Sequence, residues 1–467
     1  MVPRVTDYES FVREKFVAHR PSGIATGFKL PAAMFGHQSA LASWALRRGR
    51  AAVFADTGLG KMLIELAWAD VVNKHTAQPV MIHTPLAVAA QIAAEGRKFG
   101  IEATVVREAS EVTPGINIAN YERLHKFDTS IFGGIVLDES GCIKHHDAKT
   151  FRALTDAYLD TPFKLPATAT PAPNDWTELG THAEFLGICT RAEMLAEFFT
   201  HDGGDTSVWR LKGHARAIFW RWVASWGAMI RKPSDLGFDD GAYNLPPLQL
   251  HEHVVESNAP LNGMLFAMEA QTLSERRDAR RASMAQRVAA CAAVVNAQAG
   301  EPWVVWCDLN DEGDALTAAI DGAVQIAGKD STEVKEQRLQ DFAEGRTRVL
   351  VSKPSICGWG LNWQHSARMA FVGVTDSFES YYQAVRRCWR FGQSRAVDVH
   401  LFSSSQEGAV ASNLRRKERD AKEMAESLSA ETADAVFAEV VGEAARETNT
   451  HHADKRVRVP SFLLETA

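Results

Sequence analysis

The sequence predicts an α/β protein with two parallel sheets, helical segments between them and a helical C-terminal tail. Two observations carry this. Short apolar runs alternate with helical stretches from Ala51 to Thr168 and again from Trp303 to Phe402, the pattern of sheets covered on both faces. Between these blocks the alternation stops, and residues 191–245 and 260–298 read as mainly helical. A chain of 467 residues, 46% hydrophobic and 23% charged, is long and apolar enough for two or three such units. The expected divisions are 1–190, a first lobe; 191–245, a helical insertion and link; 246–405, a second lobe with a helical insertion at 260–298; and 406–467, a helical tail.

From the N-terminus, a short helix is expected at Tyr8 to Val17, then a Gly- and Pro-bearing loop, then a helix from His37 to Arg48. Strands follow at Ala51–Phe54, Val80–Ile82, Ala103–Val106, Ile116–Ala119, Ile135–Leu137 and Lys164–Thr168, with helices from Leu63 and from Ala87. After Leu245-Pro246-Pro247 and the second helical region, strands resume at Trp303–Cys307, Val324–Ala327, Arg348–Ser352, Ala370–Val374 and Val397–Phe402. The helices between them are Asp311–Ile320 and Lys335–Glu344. The tail is helical to about Val441 and polar from Thr448 to Arg458.

The net charge of −7 argues against a uniformly basic coat for nucleic acid and leaves room for a local basic groove. The six cysteines are scattered without zinc-ligand or redox spacing, so they read as buried thiols in a reducing compartment. The N-terminus lacks a signal peptide's apolar core and no run approaches a membrane span. A cytoplasmic protein is expected, in the host cytoplasm if the source is viral.

Ala55-Asp56-Thr57-Gly58-Leu59-Gly60-Lys61 lies between an apolar strand and a helix. Such a loop cradles a polyphosphate. Its glycines let backbone N–H groups approach, the helix start adds partial positive charge, and Lys61 reaches the outer phosphates. Asp138-Glu139 ends an apolar strand, where ligands of a parallel sheet bind. Phosphoryl transfer to water needs a cation on the phosphate oxygens and a carboxylate to position the water. Asp138 suits the metal and Glu139 the water. An acidic surface turn is the plain alternative.

Thr168 and Thr170, in KLPATATPAP, follow a strand end on the same edge, though a Pro-stopped strand reads equally well. Arg387 and Arg390, in QAVRRCWRFGQ, sit three apart on one helix face and suit charge stabilisation at a γ-phosphate, or a solvated basic helix. Between Thr206 and Ser234 there is no Asp or Glu, and Arg210 and Lys212 begin a basic run among Trp209, Trp220, Trp222 and Trp226. That mixture tracks a phosphate backbone, but Phe219, Trp222, Trp226 and Met229 fall at helical spacing and read as core. Arg276, Arg277, Arg280 and Arg281 form i,i+4 rows that read as a DNA contact or a solvated face. His145-His146 reads as loop.

Taken together, ADTGLGKM, VLDES, ATATP, GWGLN and QAVRRCWRFGQ keep the order and chemistry of helicase superfamily-two motifs. Arg231-Lys232 before Leu245-Pro246-Pro247, and Arg387, Arg390, Gly392 and Gln393, resemble the SWI/SNF-type DNA translocase branch. The short form is similar to phage-encoded members. The resemblance spans about residues 28–402. It implies two RecA-like lobes with ATP and Mg2+ in the cleft and double-stranded DNA across both. It carries Gln38 over as an adenine contact, Thr57, Gly58, Leu59, Gly60, Lys61, Met62 and Gly360 as nucleotide contacts, and Asp138 and Glu139 as metal and water residues. Arg387 and Arg390 become arginine fingers, and Thr168, Thr170 and Gln383 couple the lobes. The sequence departs from the pattern at Met62, where a magnesium-ligating hydroxyl is usual, and at Ser140-Gly141, where Ala-His often stands. The expected activity is translocation on double-stranded DNA. The alternatives are strand separation on DNA or RNA, and a scaffold that has lost hydrolysis. The tail is a candidate contact for a protein partner.

Overall fold

The computed structural model describes residues 21–85, 88–172, 175–202, 205–256, 273–357, 362–373 and 378–407, with Arg415, Arg416, Arg419, Lys422, Glu426 and Phe437 of the tail. The helix expected at Tyr8–Val17, Gly360 and most of the tail lie outside the described residues.

Strands β1 (Ala52–Ala55), β2 (Val80–Thr84), β3 (Ala103–Val105), β4 (Ile116–Asn120), β5 (Gly134–Asp138) and β6 (Phe163–Ala167) form the first sheet with β9 (Gly227–Ile230). The short antiparallel hairpin β7 (Phe199–Asp202) and β8 (Asp205–Leu211) stands apart. The first sheet has seven parallel strands in the order β3-β4-β2-β5-β6-β1-β9. Strands β1, β2, β5 and β6 are buried throughout, as expected of apolar runs covered on both faces.

The second sheet contains β10 (Leu248–Val255), β11 (Trp303–Cys307), β12 (Ala323–Ile326), β13 (Val349–Ser352), β14 (Arg368–Val372) and β15 (Val397–Ser404). Its six strands are parallel in the order β10-β15-β14-β11-β13-β12.

Two expected insertions prove to be parts of the lobes. Within 191–245, β9 pairs residue for residue with β1, from Ala52↔Gly227 to Ala55↔Ile230. The helix Arg216–Ala224 before it buries Phe219, Trp220 and Trp222 in the first lobe, beside Trp226. Within 260–298, the helix Met284–Asn296 buries Cys291 and Val295 in the cluster that holds Trp303 and Val305 of β11. Strand β10 was not anticipated; it enters the second sheet beside β15, directly after Pro246-Pro247.

Where the tail is described, it meets the link and the second sheet. Glu426 lies 3.4 Å from Arg231, and Arg415 pairs with Glu252 of β10. Among the described residues no helix is long and apolar enough to cross a membrane.

Candidate nucleotide site and interlobe cleft

The loop after β1 turns on two glycines in the left-handed region, Gly58 at φ +96° and Gly60 at φ +82°. Gly60 then caps the helix Lys61–Thr76, whose first N–H groups face the loop. Close approach also demands glycine here, since a Cβ on Gly60 would stand 2.1 Å from Gln38 Nε2. Lys61 Nζ donates to the carbonyl of Ala55 at 2.9 Å, which folds the side chain back across the loop. Gln38 Nε2 donates to Leu59 O at 3.1 Å and its Oε1 accepts from Phe35 N at 3.0 Å. The Gln38 amide thus braces the loop from the preceding helix. His37 Nε2 lies 3.2 Å from the same Leu59 carbonyl. Met62 is half-buried and packs against the first lobe's apolar core.

Strand β5 delivers Asp138 to the same edge. Thr84 Oγ1, at the end of β2, donates to Asp138 Oδ2 at 2.7 Å, and Tyr121 donates to its carbonyl at 2.7 Å. Burial, then the Glu139 charge, push the Asp138 carboxyl up to about 7. Glu139 has a left-handed backbone at φ +54°, rare for a non-glycine residue. Its carboxylate lies 3.5 Å from Thr168 Oγ1, which also accepts from Thr170 N at 3.2 Å. Ser140 Oγ lies 3.1 Å from His182 Nε2 in a buried contact inside the first lobe. Burial pushes the His182 ring down to about 4.

Glu65, one turn into the loop's helix, was missed in the sequence because an acidic residue in a helical pattern reads as surface. It is buried among Asp138, Lys61 and Glu139, and burial followed by the Asp138 charge holds its carboxyl well above the ordinary range. Both Glu65 oxygens, Thr57 Oγ1, Thr170 Oγ1 and Gln383 Nε2 are buried without a hydrogen-bond partner. Buried polar groups in folded proteins ordinarily find a partner, so those gathered at this edge suit water, ions or ligand atoms. The hard oxygens of Asp138 and Glu65 fit a magnesium ion held largely by phosphates and water. No cluster of three or more ligating side chains occurs among the described residues.

The second lobe closes on this edge through the helix Phe378–Val385 and the turn after it. Arg386 Nη2 donates to Asp56 Oδ2 at 2.5 Å, and Tyr382 OH donates to Asp56 Oδ1 at 2.6 Å. Asp56 Oδ1 also accepts from Thr57 N at 2.6 Å, so one carboxylate ties the phosphate loop to the opposite lobe. Sequence reading passed over Arg386 and Tyr382 because their partner lies more than three hundred residues away. Arg387 is buried and donates to Gln383 O at 3.0 Å and to Gln383 Oε1 at 3.1 Å. Burial pulls Arg387 down to about 10, and burial with the neighbouring arginine charges pulls Arg390 down to about 9. Both guanidinium groups feel the Glu139 charge, which places them on the cleft side.

The residues expected to contact nucleic acid do not form one surface. Arg280 is a correction. It is buried, with Nη1 2.9 Å from Asp308 Oδ2 and Nε 3.4 Å from Glu407 Oε2, so it serves the second lobe's core. Lys212 Nζ donates to Ala196 O at 2.9 Å and Glu197 O at 2.7 Å, closing the end of the helix Arg191–Phe198. Arg210, Arg277 and Arg281 are exposed, Arg281 lying 3.7 Å from Asp278. Arg276 sits on the helix Leu273–Ala282, and its side chain is outside the described residues.

Residues 287–392 match the family described as helicase conserved C-terminal domain. They span β11 to β14 and the arginines that face the phosphate loop. Among solved structures, the chain is similar to the Sulfolobus solfataricus SWI2/SNF2 ATPase core in complex with dsDNA, at 17% identity and a TM-score of 0.42, covering 89% of this chain and 99% of that one. No curated protein matches the chain at a significant level. The two parallel sheets are the two-lobed α/β architecture that the motif order implies. The chain thus carries a match to a helicase conserved C-terminal domain across its second lobe, and a phosphate loop and an acidic pair at one sheet edge of its first.

Proposed function

We propose that the chain is an ATP-driven translocase on double-stranded DNA. The observation that carries this reading is the contact of Arg386 and Tyr382 with Asp56, which makes the phosphate loop part of the interface between lobes. A nucleotide entering that loop changes the interface directly, so binding and hydrolysis alter lobe closure. Lys61 and the helix start at Gly60 hold the phosphates. Bound magnesium neutralises phosphate oxygens, and Asp138, oriented by Thr84, would hold it. Glu139 orients the attacking water, and Thr168 beside it senses the acidic pair. Arg387 and Arg390 bring positive charge to the transferred phosphoryl from the second lobe. The choice of duplex rests on the resemblance of Arg231-Lys232 and Leu245-Pro246-Pro247 to the translocase link, with Arg210, Arg277 and Arg281 exposed at the surface.

The test is ATPase rate at fixed salt with no nucleic acid, single-stranded DNA, duplex DNA, branched DNA and RNA. Salt is held constant because phosphate contacts weaken steeply with it. Duplex DNA is expected to stimulate most, without strand displacement. Equal stimulation by RNA, or by single strands alone, overturns the reading. Strand displacement reassigns the chain to unwinding.

A further inference from the structure

We infer that Glu65 is a magnesium ligand of the nucleotide site, supplying the hard oxygen that Met62 cannot. The inference rests on the nucleotide reading above. Position 62 opens the helix beneath the phosphate loop, where a short hydroxyl reaches a phosphate-bound cation. A thioether is a poor ligand for magnesium, and Met62 is packed into the apolar core instead. Residue 65 follows Met62 by three positions and Lys61 by four, so the three share one helix face. Side chains on a helix lean toward its N-terminus. A carboxylate at 65 therefore extends back over the turn that a hydroxyl at 62 would have occupied.

The surroundings agree. Glu65 is 1% exposed and neither oxygen has a partner. Its charged neighbours are Asp138, Lys61 and Glu139, the groups that surround the metal and the water in the proposed mechanism. A buried carboxyl kept for structure alone ordinarily has hydrogen-bond donors. Leaving two oxygens unpaired in the interior is costly unless a ligand meets them. Magnesium takes one or two protein carboxylates and completes its octahedron with phosphate oxygens and water. Asp138 and Glu65 make that pair.

The test titrates a fluorescent ATP analogue into the full chain, with magnesium and with EDTA, and reads the factor by which the metal tightens binding. Mn2+ replaces Mg2+ in a parallel series, where its electron paramagnetic resonance signal counts bound ions. Glu65→Gln has the shape of the parent carboxyl and loses its charge. It is expected to cut the metal-dependent tightening by about 10–100-fold and to leave EDTA affinity within a few-fold of wild type. Met62→Thr in the Glu65→Gln background is expected to restore most of the loss. Alone, Met62→Thr is expected to change the factor little, because Glu65 already fills the position. An unchanged factor in Glu65→Gln overturns the inference and leaves the nucleotide reading intact. So does a tenfold or larger gain from Met62→Thr alone, which shows a position open to water whether or not Glu65→Gln folds. Wild-type protein that binds no nucleotide overturns both.

Discussion

Glu139 shows how much chemistry rests on one backbone angle. Its left-handed conformation at φ +54° costs on the order of 1 kcal/mol for a side-chain-bearing residue, and the strain sits where the mechanism needs a carboxylate aimed off the end of a strand. Glu139→Gln keeps that geometry and removes the charge. Hydrolysis is expected to fall by roughly 100-fold or more, with nucleotide affinity near wild type, as measured by phosphate release and by analogue titration. Unchanged turnover would reassign the water to another group. Lys61, Asp138 and Glu139 were legible in the sequence because each sits at a fixed offset from an apolar strand. Glu65 was not, because a helical pattern alone does not say which polar residue faces a second buried carboxylate.

At the scale of elements, most strands of the two sheets were legible as apolar runs, and two that were not, β9 and β10, escaped for physical reasons. Strand β9 follows a tryptophan-rich run whose spacing is helical, and it is placed in the sheet by pairing with β1. Strand β10 reads LQLHEHVV, too polar for a buried parallel strand, because it is the sheet's edge. There His251, His253 and His400 stack, with Asp398 and Arg368 alongside. Burial first, then the charges of His251 and His253, push His400 down to about 4. A base whose folded-state value lies below its ordinary 6.5 takes up a proton more readily when unfolded. Its contribution is therefore complete above about pH 6.5 and is lost as the pH falls toward 4. Thermal melts across that window are expected to show a decline that His400→Gln flattens. Arg280 makes a different kind of element-level prediction. Removing one partner of a buried ion pair costs about 3–5 kcal/mol, so Arg280→Ala is expected to destabilise the second lobe on that scale in urea melts. Loss of DNA affinity at full stability would return Arg280 to the nucleic-acid surface.

Among the described residues, the two large parallel sheets meet at the phosphate loop. Its outline was legible in the order of motifs, whereas the contact was not, since Asp56 and Arg386 lie at opposite ends of the chain. Asp56→Asn keeps the shape of the side chain and weakens its hold on Arg386. Nucleotide-free protein is expected to open, seen as a larger interlobe distance by fluorescence energy transfer between labels on the two lobes. An unchanged distance would show that packing elsewhere holds the lobes. Arg390 belongs to the same scale because, in the proposed mechanism, DNA brings the second lobe onto the phosphates. Arg390→Ala is expected to lower the DNA-stimulated ATPase by about 10³-fold, with the unstimulated rate changed far less. A loss confined to DNA affinity would move Arg390 to the backbone track.

The Asp56 carboxylate has a consequence for turnover. One of its oxygens orders the Thr57 amide and takes the Tyr382 hydroxyl, while the other holds Arg386. Pulling the lobes apart therefore removes two of the partners that hold the carboxylate against the Thr57 amide of the phosphate loop. On the proposed function, separation of the lobes and escape of the spent nucleotide become one event. A load on the track that resists reclosing would then slow the next refilling while leaving the preceding discharge untouched.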